Sequence, residues 1–199
     1  MVTELKRDER FTETIVTGHS EGALVGLLAA KDSAADALIS IAGAGRPIDQ
    51  VLSEQLEALP KELVEESEQI LAQLRQGTTV SEMNEQLMSI FNPESQPFLI
   101  SWMQYDPAAE ISQLALPTMI INGTNDIQVS VADAELLSEA KPDAKLLLVD
   151  EMNHVLKEAP ADREENLKTY ADPSLPLADG LIEEIIAFLK ESDLIVKHN

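Results

Sequence analysis

The sequence predicts an α/β protein: a mostly parallel sheet of about four strands, flanked by helices and interrupted by one helical insert. Three observations predict it. Strand-like and helix-like segments alternate near both ends of the 199 residues, and such alternation requires crossover helices between parallel strands. The stretch between them keeps the 3.6-residue period of a helix and offers no convincing strand. Glycines and prolines fall at the changes of style, at Gly43, Gly45, Pro47 and Pro117, where a chain that must turn needs them.

The elements follow in order. Val2 to Arg10 reads as the tail of a surface helix, and Phe11 to Thr17, with its β-branched run Thr14, Ile15, Val16 and Thr17, as a strand. Ser20 to Ala30 is a helix with Leu24, Leu27 and Leu28 on its buried side, and Ala37 to Ile41 a second strand. From Ile48 to about Leu114 the apolar positions recur at helical spacing: Ile48, Val51, Leu52, Leu56 and Leu59, then Leu63, Ile70, Leu71 and Leu74, then Met83, Leu87, Met88 and Phe91. Phe98, Leu99, Trp102, Met103 and Tyr105 make a further, aromatic segment. Thr118 to Asn122 is a strand, Val131 to Ala140 a helix, and Ala144 to Val149 an apolar strand of the kind buried on both faces. Leu181 to Leu189 closes the chain as an amphipathic helix with Ile182, Ile185, Ile186 and Leu189 inward. Residues 1–45 and 115–199 are therefore expected to form the sheet core, and 46–114 the insert.

Composition narrows the chemistry. Fourteen basic residues against 36 acidic ones give a net charge of −22, which repels nucleic acid and anionic membrane and makes both unexpected partners. The absence of cysteine excludes disulfides, thiolate metal sites and a cysteine nucleophile. No apolar run approaches the roughly 20 residues of a bilayer span. The charged start Met1-Val2-Thr3-Glu4-Leu5-Lys6-Arg7 has no apolar signal core, so the expected location is cytoplasmic, a secreted origin staying open if an N-terminal region is missing.

The most telling string is Gly18-His19-Ser20-Glu21-Gly22, where the first strand gives way to the first long helix. A serine so flanked sits on a tight strand-to-helix turn, its hydroxyl pushed outward and the helix N-terminus aimed at it. By itself the string is common enough to arise by chance, so its context decides. Ligands of parallel sheets gather beyond the carboxyl ends of the strands. The strand ending at Asn122 runs into Gly123-Thr124-Asn125-Asp126, and the strand ending at Val149 into Asp150-Glu151-Met152-Asn153-His154. A serine, an acid and a histidine thus share one sheet rim. A serine hydroxyl is a poor nucleophile until an imidazole takes its proton, and the imidazole needs a carboxylate to fix its tautomer. Taken singly, Asp126 reads more simply as a loop-capping residue and His154 as a surface or packing histidine. His19 is expected to pack against the sheet or the insert, and His198 to lie in a terminal tail.

The elbow, the segment Pro117 to Asp126 and the run Met152-Asn153-His154 together resemble the α/β-hydrolase superfamily, closest to its esterase and serine-aminopeptidase-like branches. The resemblance implies Ser20 as nucleophile, Asp126 as acid, His154 as base and the backbone N–H of Glu21 as an oxyanion donor. It implies a helical cap in the insert and no metal or organic cofactor. Phe98, Trp102, Met103 and Tyr105 are candidates for a substrate-binding lining, their alternative being plain core. The chain also departs from the family, since neither the early strands nor the loop giving the second oxyanion N–H is found in it. Two expectations follow: activity weakened by a lost donor, and a homodimer or larger assembly covering an exposed sheet edge at Phe11 to Thr17. The expected activity is cleavage of carboxylic esters of small to medium acyl chains. Sequence alone does not separate esters from the amides of an aminopeptidase, and a non-catalytic dimeric remnant is the rival from another class.

Overall fold

The computed structural model describes residues 2–195, so His198 lies outside the described residues. The chain divides into two compact units: residues up to Gly45 together with those from Pro107 onward, and Arg46–Asp106. The first unit begins with α1 (Val2–Lys6), β1 (Ile15–His19), α2 (Glu21–Lys31) and β2 (Ala37–Ile41). The second holds α3 (Ile48–Leu56), α4 (Lys61–Arg75), a 3-10 turn at Glu85–Leu87, α5 (Met88–Phe91) and α6 (Gln96–Trp102). The first unit resumes with α7 (Pro107–Ile111), β3 (Thr118–Gly123), α8 (Val131–Ala140), β4 (Lys145–Val149), α9 (Arg163–Tyr170) and α10 (Leu181–Glu191).

The four strands lie in the order β1-β2-β3-β4, every neighbouring pair parallel. β2 and β3 are buried along their whole length, as central strands covered on both faces must be. Ile39, Ile41, Met119 and Ile121 point to one face, where Leu181 and Phe188 of α10 pack on them. α2 packs on β1 and β2, and α8 on β3 and β4. The helical unit has its own apolar centre, built from Leu63, Ile70, Leu71 and Leu74 of α4 with Leu87, Phe91 and Leu99.

Several expectations need correction. The first strand starts at Ile15 and not at Phe11, because its ladder begins where Ile15 meets Ala37. Just ahead of it the N–H of Thr14 donates to the Asp36 carboxylate at 2.6 Å, so a side chain ends the pairing and Phe11 is left exposed. The exposed edge is therefore Ile15–His19. β4 is the opposite edge, half-buried with Leu148 exposed, and not a strand covered on both faces. On α10 the inward stripe is Leu181, Ile185, Phe188 and Leu189, whereas Ile182 and Ile186 are exposed; the stripe keeps Ile185 and Leu189 but is turned towards Leu181 and Phe188. Finally, residues from Pro107 on belong with the sheet, because α7 packs on α2 and α8.

Candidate active site

Because all four strands run in one direction, the segments leaving β1, β3 and β4 emerge at the same rim. Each brings one polar side chain to it. Ser20 follows β1 directly with φ 55° and ψ −123°, a conformation that costs a non-glycine residue about 1–3 kcal/mol and persists only where the surroundings enforce it. Here its N–H donates to Ile41 O at 2.9 Å, and its carbonyl accepts from Ala23 N–H at 2.9 Å. Gly18 makes the turn sterically possible: a Cβ there would stand 2.0 Å from the Gly22 carbonyl oxygen. Gly22 meets no such limit, since a Cβ on it would find nothing within 4 Å.

Asp126 sits in the turn after β3. The backbone N–H groups of Gln128 and Val129 donate to its Oδ1 at 2.8 and 3.0 Å, which leaves Oδ2 to accept from His154 Nδ1–H at 2.9 Å. With Nδ1 protonated and donating, Nε2 keeps its lone pair and accepts from the Ser20 hydroxyl at 3.0 Å. The Asp126 side chain is 1 % exposed and that of His154 6 %, so both hydrogen bonds lie in a medium where electrostatic interactions act more strongly than in water. Nearby, the Tyr170 hydroxyl is held above its ordinary pKa, first by burial and also by the Asp126 carboxylate, while its hydrogen bond with Gln128 opposes the shift.

His154 stands on a tight turn. Asn153 N–H donates to Lys157 O at 2.9 Å and Leu156 N–H to Asn153 O at 3.0 Å, with Leu156 at φ 63°. His19 Nε2–H donates to the backbone carbonyl of His154 at 2.8 Å, and the two rings lie 4.9 Å apart. His19 thus braces the turn instead of simply packing. Glu21, the first residue of α2, presents a backbone N–H that helix geometry leaves without an intrahelical acceptor. Of the expected lining, Phe98 and Trp102 pair their rings at 5.6 Å; Phe98 is exposed and Tyr105 half-buried. Trp102 and Met103 pack partly on the core of their own unit. Among the described residues no group of three or more His, Cys, Asp or Glu could hold a metal ion, and no helix is long and apolar enough to cross a membrane.

The sequence reading missed α9. Its only buried residue is Asn166, so it has no apolar stripe to betray it. The signal that could have found it is the start Asp162-Arg163-Glu164-Glu165, where the Asp162 side chain accepts from the N–H groups of Glu164 and Glu165, an N-cap with acids in the first turn.

No family model matches the chain. The chain is 30% identical to Esterase EstD of Thermotoga maritima over an aligned length of 159, a match that covers 76% of this chain and 37% of that protein. It therefore spans little more than a third of the length of this curated relative. Among solved structures, an α/β-hydrolase enzyme from the metagenome of lagoon sediments at Mar Chica, Morocco, superposes with a TM-score of 0.51 at 19% identity, over 96% of this chain and 67% of that one. A meta-cleavage product hydrolase of Pseudomonas fluorescens IP01 superposes with a TM-score of 0.50 at 17% identity, over 92% of this chain and 66% of that one. Sequence likeness and fold point the same way: the parallel sheet and its flanking helices are a part of the α/β-hydrolase fold.

Proposed function

We propose that the chain is a serine hydrolase acting on carboxylic esters of small to medium acyl chains. One observation carries the proposal: hydroxyl, imidazole and carboxylate follow one another in hydrogen-bond sequence, at 3.0 Å from Ser20 to His154 and 2.9 Å from His154 to Asp126. The likeness to a protein named an esterase supports esters over amides.

In this reading His154 Nε2 takes the Ser20 proton as Oγ attacks the acyl carbon. The oxyanion so formed faces the Glu21 N–H, a kind of donor whose removal typically costs about 10²–10³ in kcat. His154 then gives the proton to the departing alkoxide oxygen as the ester C–O bond breaks. Water attacks the acyl-enzyme and passes its proton to Nε2; the acid leaves and the proton returns to Ser20. Asp126 holds the imidazole in the productive tautomer and stabilises its cation. No step calls on a metal or an organic cofactor.

Hydrolysis of p-nitrophenyl acetate, butyrate and octanoate tests the proposal. Turnover by wild type that is absent from Ser20→Ala is expected, with the shorter chains preferred. A folded wild type no faster than Ser20→Ala would overturn it.

We also propose that a second copy pairs along the outer edge of β1, which has no strand neighbour on that side among the described residues. Light scattering on a sizing column should return the mass of a dimer; a monomer of 21.8 kDa at micromolar concentration would contradict it.

A further inference from the structure

Asp126 and His154 stand on different turns, and something must hold those turns at a fixed separation. A backbone bond from Asn125 N–H to Met152 O at 3.0 Å does part of this; the side chain that adds to it is the amide of Asn166, on α9. Its Nδ2 donates to the carbonyl of Asn125 at 2.9 Å and to that of Pro160 at 3.0 Å. Its Oδ1 accepts from Asn153 Nδ2 at 3.2 Å. Asn125 directly precedes the acid and Asn153 directly precedes the base, so one buried amide joins the residues before both.

The rest of the network supports this assignment. Asn153 Nδ2 also donates to Thr169 Oγ1 at 2.7 Å, one helical turn along α9. Asn153 Oδ1 accepts from the N–H groups of Val155 and Lys157 at 3.1 and 3.2 Å, which shapes the turn carrying His154. Asn125 Nδ2 donates to Ala159 O at 2.7 Å, tying the acid turn to the far side of the base turn. Asn153 and Asn166 are both fully buried, where a polar atom left without a partner is costly, so the bonds enforce each other's geometry.

We infer that Asn166 is a positioning residue: it holds the Asp126 turn and the His154 turn in register and so keeps the carboxylate–imidazole hydrogen bond at working length. The inference rests on the hydrolase reading, but it can be tested apart from it. The test is the low-field proton resonance of His154 Nδ1–H, assigned by its loss in His154→Gln, measured beside kcat and KM for p-nitrophenyl acetate. In Asn166→Leu, similar in size but without donors, and in Asn166→Asp, isosteric but with acceptors facing the two carbonyls, the resonance should broaden or vanish. kcat should fall by about 10–100-fold with KM within about twofold. Thr169→Val, a milder change, serves if both fail to fold and should lower kcat by about fivefold. The matched control is Gln96→Leu, which removes a fully buried amide of the helical unit that binds Val80 and Phe91; it should cost stability and leave the resonance in place.

A folded Asn166 variant with resonance and kcat unchanged would overturn the inference, as would a folded wild type lacking the resonance. If wild type shows the resonance and the variants lose it while no ester is cleaved, the positioning role stands and the hydrolase reading alone falls.

Discussion

The elbow at Ser20 and the turn at His154 reach the same rim by opposite means. The elbow is made locally: five consecutive residues hold it, its backbone bonds run to the next strand and the first turn of α2, and its decisive constraint is the missing side chain of Gly18. The His154 turn is made at a distance. It depends on Asn153, on Asn166 and Thr169 thirteen and sixteen residues further on, and on His19 from the other end of the chain. A mostly local device is damaged mainly by changes inside it or at the strand it bonds to. A device held by remote hydrogen bonds fails at positions that never touch a substrate.

The largest effects should come from the shared chemistry. Ser20→Ala should lower kcat by about 10⁴–10⁶-fold and Asp126→Asn by about 10⁴-fold, with circular dichroism unchanged; retention of more than a tenth of activity by either would dissolve the comparison. Next come the glycines that let each turn close. Gly18→Ala should prevent folding of the elbow or abolish turnover, because the added carbon meets backbone, while Gly22→Ala should stay within about 1 kcal/mol of wild type. Gly123→Ala tests the other device, since its Cβ would stand 1.9 Å from the Met152 carbonyl oxygen and would push the acid turn off the base turn. Equal tolerance at Gly18 and Gly22 in urea melts would show that the elbow is not sterically locked.

The smallest effect concerns the entry to β1. Burial would raise the Asp36 carboxyl, but the Lys6 ammonium and the Thr14 N–H outweigh it and hold it below the ordinary carboxylate value of 3.8. A carboxyl lowered in the folded state adds stability above that value and loses it as the pH falls through the lowered one. The difference in Tm between wild type and Asp36→Asn should therefore be present at pH 7, corresponding to about 1 kcal/mol or less for a partly exposed pair, and shrink towards zero well below pH 4. A gap that grows on acidification would reverse the sign of the argument.

The same contrast explains what could be read from residues alone. Gly18 to Gly22 announces itself because the constraint and the sequence coincide. Asp126 and His154 were findable because β3 and β4 are short apolar runs whose ends are easy to mark. The α10 face was misjudged because Leu181, Ile182, Ile185, Ile186, Phe188 and Leu189 are wide enough to fit more than one stripe. α9 went unseen because it docks through an amide, and hydrogen-bonded docking leaves no hydrophobic period. The start of β1 was placed four residues early because Thr12 and Thr14 look like strand residues, whereas a carboxylate on another segment ends the ladder.

The relay from Asp126 through His154 to Ser20 is tested most directly by a fluorophosphonate probe followed by mass spectrometry of the labelled peptide. One probe per chain should be found on Ser20, and labelling should slow by several orders of magnitude in His154→Ala. Labelling on another residue, or at an unchanged rate without the imidazole, would contradict it.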